Sequence, residues 1–214
     1  MKPAFSEGYR PEIDGLRALA VIPVIFFHAG FEAFGGGFVG VDVFFVISGY
    51  LITSIILRER DSGSFTLSGF YERRARRLLP ALFLVLACCI PFGILILTPP
   101  VFEQFALGLV GSATFSSNVV FLEAAPAYFR SADSELNPLL HTWSLAIEEQ
   151  FYLVYPLFLL LLLKFSRTAL WLTLSILMMS SFLFSVDYND TSFTFFAPHA
   201  RFWELLIGVF VAIT

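Results

Sequence analysis

The chain has 214 residues, of which 57% are hydrophobic and 14% charged, and 27 are phenylalanine; the mean hydropathy is +0.80. A soluble domain carries far more charge and far less apolar bulk, so the composition marks an integral membrane protein and excludes a disordered chain, a nucleic-acid-binding protein and a secreted disulfide scaffold. The net charge of −4 decides nothing as a total, because in such proteins basic residues are read by where they cluster.

The first apolar segment, Leu16 to Phe34, follows a polar stretch holding Glu7, Glu12 and Asp14, and contains Arg17, His28 and Glu32. A signal peptide has a different pattern. Gly35-Gly36-Gly37 then reads as a tight turn into Phe38 to Leu57, which predicts an antiparallel helical hairpin. Arg58 to Arg77 is polar, with Ser-Gly turn chemistry at Asp61 to Ser64 and a basic block of Arg73, Arg74, Arg76 and Arg77. Leu78 to Leu97 has the roughly twenty uncharged residues that a helix needs to cross a bilayer. It also holds the adjacent Cys88 and Cys89, read as two small hydrophobes rather than a disulfide or metal pair. Pro99-Pro100 breaks the chain.

Val101 to Leu122 is long enough to cross but carries Glu103, Gln104, Ser112, Thr114, Ser116, Ser117 and Asn118. The distribution of basic residues arbitrates. If this stretch does not cross, Lys2, Arg10, Arg17, Arg58, Arg60, the four arginines of the block, Lys164 and Arg167 fall on one side, eleven of the thirteen, leaving Arg130 and Arg201 opposite. An interfacial or re-entrant helix is the expectation there. Spans follow over Trp143 to Leu163 and Thr168 to Val186, and a last apolar segment opens at Phe202 with about twelve residues, too few to cross. The expected fold is an all-α polytopic transmembrane bundle in the inner (plasma) membrane with a cytoplasmic N-terminus. It comprises five spans and a partial sixth, cut short.

A charge inside a transmembrane helix costs about 2.5 to 3.5 kcal/mol on insertion scales, so each such residue is a functional candidate. Arg17 and His28 lie three helical turns apart on one face, about 16 Å along the axis. They could bind and titrate, or simply snorkel and bridge helices. Glu32 at i+4, or Asp42 across the hairpin turn, could orient the imidazole, Asp42 being favoured. In the basic block, guanidiniums at i and i+3 either hold a polyanionic phosphate or fix topology. His141-Thr-Trp143-Ser144-Leu-Ala-Ile-Glu148-Glu149-Gln-Phe-Tyr152 puts Ser144, Glu148 and Tyr152 on one helical face at an outer mouth. No Gly-x-Ser-x-Gly turn accompanies it, which argues against a serine triad. An interfacial aromatic belt explains Trp143 and Tyr152 equally well.

Joined in order, these pieces resemble the membrane acyltransferase 3 family. Tyr9-Arg-Pro-Glu-Ile-Asp-Gly-Leu-Arg-Ala-Leu-Ala-Val is similar to its opening, and Arg17 with His28 to its Arg/Lys-x10-His pattern. Gly40-Val-Asp-Val-Phe-Phe-Val-Ile-Ser-Gly-Tyr-Leu resembles its second-helix motif and Arg74-x-x-Arg77 its basic motif. Asn137-Pro-Leu-Leu-His-Thr-Trp-Ser-Leu-Ala-Ile-Glu-Glu-Gln-Phe-Tyr and His199-Ala-Arg-Phe-Trp-Glu-Leu-Leu-Ile-Gly match later signatures. The resemblance implies that residues 1–214 are the N-terminal portion of the transmembrane domain of an O-acyltransferase. Such an enzyme takes an acyl group, acetyl foremost, from cytoplasmic acyl-CoA to a hydroxyl of an extracytoplasmic glycan or lipid-linked sugar, with no bound cofactor, metal or nucleic acid. It implies His28 as general base, Asp42 or Glu148 holding its tautomer, and Arg17, Arg73, Arg74, Arg76 and Arg77 on the donor phosphates. His141, Trp143, Ser144, Glu149, Tyr152, Arg201 and Glu204 then serve the acceptor or the scaffold. The competing readings are a proton- or ion-coupled transporter fragment using His28, Glu32 and Asp42, and an inactive fragment.

Overall fold

A computed structural model describes residues 10–128, 137–187 and 191–214; Lys2, Glu7, Tyr9 and Arg130 of the sequence argument lie outside them. Every regular element among the described residues is helical. Two compact units are present, one of residues up to Thr53 with Glu204–Thr214, the other of Ser54–Trp203.

In the first unit, α1 (Pro11–His28) opens on a proline at its first turn, where the missing N–H costs nothing. It ends at His28 because Gly30 takes φ +78° and turns the chain out. The predicted segment to Phe34 therefore overshoots: Glu32–Phe34 is a separate 3₁₀ turn, and Glu32 does not share a helical face with His28. A second 3₁₀ turn, Gly37–Val39, leads into α2 (Gly40–Asp61). The hairpin is as expected, and glycines make it close. A Cβ on Gly37 would strike the Pro23 carbonyl and the Phe27 side chain, and one on Gly40 the Ala20 carbonyl and the Val24 side chain. Ile13, Ala20 and Ile47 form the core between α1 and α2, with Phe44, Tyr50 and Leu51 against them, and Arg10 Nη1 donates to the Tyr50 hydroxyl at 2.6 Å. The same device joins α2 to the end of α9 (Pro198–Ile213): a Cβ on Gly49 would overlap the Leu205 carbonyl, and one on Gly208 the Val46 carbonyl and the Tyr50 N–H. Apolar side chains gain nothing by leaving lipid for each other, so close backbone approach at small residues is a main source of helix association in a bilayer.

In the second unit, Gly63 at φ +70° ends α2, and Thr66 Oγ1 caps α3 (Leu67–Ile96) by accepting from the Gly69 N–H at 3.2 Å. The helix thus starts eleven residues before the predicted Leu78, and the basic block lies inside it. It stops where Leu97 and Thr98 are extended, as residues approaching Pro99-Pro100 must be. Then α4 (Pro99–Ala113) turns back along α3, with Phe105 against Gly93. A turn with Phe115 at φ 54° sends α5 (Ser117–Tyr128) back along α4, Phe121 lying over Gly108 and Ser117 against Gly111. Val101 to Leu122 is therefore a helical hairpin of 15 and 12 residues, each arm too short to cross a hydrocarbon core of about 30 Å.

α6 (Thr142–Leu162) lies antiparallel to α3: Tyr71 donates its hydroxyl to the Leu153 carbonyl at 2.7 Å, and Arg74 meets Glu149 one turn along. α6 also carries the hairpin tip, since Gln150 Nε2 donates to the Phe115 carbonyl and to Asn118 Oδ1, both at 2.8 Å. Asn118 Nδ2 in turn donates to the Phe196 carbonyl of the short α8 (Thr191–Phe196). α7 (Arg167–Asp187) is pinned to the start of α9 by Ser181, whose hydroxyl donates to the His199 carbonyl and accepts from the Trp203 N–H.

Among the described residues four helices, Gly37–Asp61, Leu67–Ile96, Thr142–Leu162 and Arg167–Val186, are long and apolar enough to cross a membrane, where five spans were expected. The difference is α1, whose first turns carry Glu12, Asp14 and Arg17. α9, at 16 residues, begins one turn before the predicted Phe202. Leu84, Phe92, Leu95 and Ile176 are exposed, as lipid-facing residues are.

Two outcomes test this arrangement. Gly208→Val should cost about 3 kcal/mol or more, because rigid backbone cannot move aside for the added methyls; thermal unfolding of the detergent-solubilised protein reads it. In a variant lacking Cys88 and Cys89, Glu103→Cys and Glu123→Cys should react with an impermeant thiol reagent from the same side of the membrane. Labelling from opposite sides would show that the chain crosses between them.

Candidate active site

His28 is exposed at the last position of α1, and its Nδ1 lies 2.8 Å from the Val24 carbonyl oxygen, one turn back. A carbonyl only accepts, so in this contact Nδ1 donates. The Val24 carbonyl thus orients the imidazole from its own helix. Asp42 sits in the first turn of α2, two residues after Gly40, which rests on the Ala20 to Val24 turn of α1. The same glycine contacts that close the hairpin therefore seat Asp42's helix end against the turn that bonds His28. Arg17 stands toward the start of α1 with its guanidinium 5.0 Å from the centre of the Phe44 ring. Glu204, 1% exposed, is buried in α9 within the same unit.

The second unit gathers the other candidates around α3 and α6. Three of the four arginines of the basic block are paired with carboxylates, and burial ranks the pairs. Arg76 bonds Glu72 one turn back with 79% and 60% of the side chains exposed, which makes it a surface pair worth about 0.3 to 0.5 kcal/mol. Arg73 holds Glu59 through one nitrogen on both oxygens, with 54% and 21% exposed. Arg74 holds Glu149 with 26% and 13% exposed, and breaking so enclosed a pair approaches the roughly 3 to 5 kcal/mol cost of stranding a buried charge. The Arg74 guanidinium also covers the Tyr152 ring, 3.9 Å from its centre, and its Nε is buried with no hydrogen-bond partner. Tyr152 donates its hydroxyl to Glu148 Oε1 at 2.7 Å, both side chains buried. Arg77 is exposed and makes no hydrogen bond or ion pair among the described residues.

The i+4 pairing of Glu148 with Tyr152 is as the sequence predicts, and Ser144, one turn earlier on α6, donates its hydroxyl to the His141 carbonyl. One placement is corrected. Arg74 and Glu149, expected at opposite mouths, are in contact, because α3 begins at Leu67 and α6 runs antiparallel beside it. At the head of α6, His141 is exposed. Trp143 is buried against Phe195 and Phe196, ring centres 4.4 and 5.8 Å away, with the Arg201 guanidinium 5.8 Å from its centre. Sequence reasoning missed the roles of Gln150, Asn118 and Glu59. Asn118 stood out as a polar residue in an apolar stretch, but its partners Gln150 and Phe196 lie 32 and 78 residues away in sequence.

An acyltransferase domain model matches residues 10–213. The peptidoglycan O-acetyltransferase OatA of Listeria monocytogenes is 38% identical over 97% of this chain, the putative peptidoglycan O-acetyltransferase YrhL of Bacillus subtilis 40% over 96%, and the O-acetyltransferase OatA of Staphylococcus aureus 38% over 99%. The chain spans about a third of the length of these relatives: 34%, 33% and 36%. No solved structure matches it. With the domain matched from one end of the described helices to the other, this chain belongs to the acyltransferase family.

Proposed function

We propose that this chain is part of a membrane O-acyltransferase that moves an acyl group, acetyl foremost, from acyl-CoA at the cytoplasmic face to a hydroxyl of an extracytoplasmic glycan such as peptidoglycan. The observation that carries the reading is the placement of His28, exposed at the end of α1 with Nδ1 donating to the Val24 carbonyl, within a chain that the acyltransferase domain model matches over residues 10–213. The names of the relatives supply the acceptor class. The plasma membrane as location, a cytoplasmic N-terminus and acyl-CoA as donor belong to the same proposal.

His28 Nε2 takes the proton of the acceptor hydroxyl as that oxygen attacks the acyl carbonyl carbon. The tetrahedral intermediate collapses with cleavage of the carbon–sulfur bond. The leaving thiolate recovers the proton from the imidazolium, giving the O-acyl ester and free CoA. Asp42, at the positive end of α2, stabilises the imidazolium in passing. Exposed guanidiniums of the basic block meet the phosphates of the donor. Glu149 holds Arg74 of α3, the helix of the basic block, with Glu148 and Tyr152 beside it.

His28→Ala should lower acetyl transfer about 10²- to 10⁴-fold while the protein still inserts at normal abundance, because a general base matters to the transition state and little to the fold. The measurement is ester formed on peptidoglycan fragments from labelled acetyl-CoA in membranes holding the protein. Near-normal product from the variant would remove His28 from the mechanism.

A further inference from the structure

We propose that Arg74 is a positioning residue for the Glu149 carboxylate and the Glu148–Tyr152 pair, and that the donor's phosphates are left to the exposed arginines of the block, Arg77 foremost. The inference rests on the acyl-CoA reading above and divides the labour within one motif.

The argument is one of competition for a guanidinium. A phosphate is held by open N–H edges, and a cation already spent on a carboxylate must release it first. For Arg76 the release is easy, since its partner Glu72 is exposed and finds water. For Arg74 it is not, because Glu149 would be stranded with 13% of its side chain exposed, next in sequence to the buried Glu148. The face of the Arg74 guanidinium is covered as well, by the Tyr152 ring. That ring's hydroxyl holds Glu148 Oε1, so Arg74, Glu149, Tyr152 and Glu148 form one linked cluster binding α3 to α6. Arg77, one turn along α3, stands exposed with no bond to give up among the described residues. Tyr71 reinforces the same seam through the Leu153 carbonyl. Displacing Arg74 toward a ligand would part the two helices, whereas Arg77 can turn to a phosphate with no loss to the fold.

The test uses the intact membrane protein, acetyl-CoA as donor and peptidoglycan fragments as acceptor, with donor KM and kcat measured separately. Arg77→Ala should raise the KM for acetyl-CoA about tenfold or more and leave kcat within about threefold, because it removes a charge-assisted contact made equally in ground and transition states. Arg74→Gln and Glu149→Gln should each lower kcat by about tenfold or more with donor KM within about threefold, and the double variant should be no worse than the worse single. Arg74→Lys should recover part of that loss, since it keeps the charge but not the fork. The assignment is overturned if Arg74→Gln raises donor KM as Arg77→Ala does, or if the Arg74 and Glu149 losses multiply. A parallel arm keeps the pairing testable where acetyl-CoA proves not to be the donor. In thermal unfolding of the solubilised protein the Arg74→Gln and Glu149→Gln shifts should be non-additive, and additive shifts would overturn the inference whatever the substrate.

Discussion

The approach of Gly49 and Gly208 to each other's helix backbones sets the geometry of the first unit. In hydrocarbon a leucine is as well solvated by lipid as by another leucine, so two helices stay together through van der Waals contact at short range and through the few polar bonds available. A Cβ on Gly49 would enter the Leu205 carbonyl, and one on Gly208 the Val46 carbonyl, so the two backbones touch without intervening side chains. Gly37 and Gly40 do the same between α2 and α1. These contacts set where α1 ends relative to α2, and with it the place of His28 and Asp42.

The second unit is held differently. Its seams are polar: the Tyr71 hydroxyl on the Leu153 carbonyl, Arg74 on Glu149, and Gln150 holding the turn at Phe115. A non-glycine residue at φ 54° is held in that conformation by its surroundings, and here the hold is Gln150 on the Phe115 carbonyl and on Asn118. The backbone carbonyl at this tip is satisfied by a side chain of another helix, Gln150. Glu149 and Gln150, adjacent on α6, thus fasten α3 with one side chain and the α4–α5 tip with the next.

This arrangement connects packing to chemistry. A histidine that ends a helix and bonds the carbonyl four residues back has its ring oriented by the backbone of its own helix. The carboxylates are placed by the helices that carry them: Asp42 at the start of α2, Glu148 and Glu149 in the cluster with Tyr152 and Arg74.

Membrane character, the all-helical class and the α1–α2 hairpin were legible in the sequence because composition and glycine turns are local or additive properties. The pairing of Glu148 with Tyr152 was legible too, since helical periodicity alone brings i and i+4 together. The start of α3 was not. Its cap at Thr66 lies in a polar stretch, and hydropathy registers where a helix enters lipid rather than where it begins. The meeting of Arg74 with Glu149, 75 residues apart, was beyond any local pattern. Charges at what read as opposite mouths of the bundle were brought together by an antiparallel contact between α3 and α6, and only the tertiary structure decides which helices lie side by side and at what offset. The sequence determined where the arginines stand along the chain; the packing decided that Arg74 is paired with Glu149 across two helices and that Arg77 stands exposed.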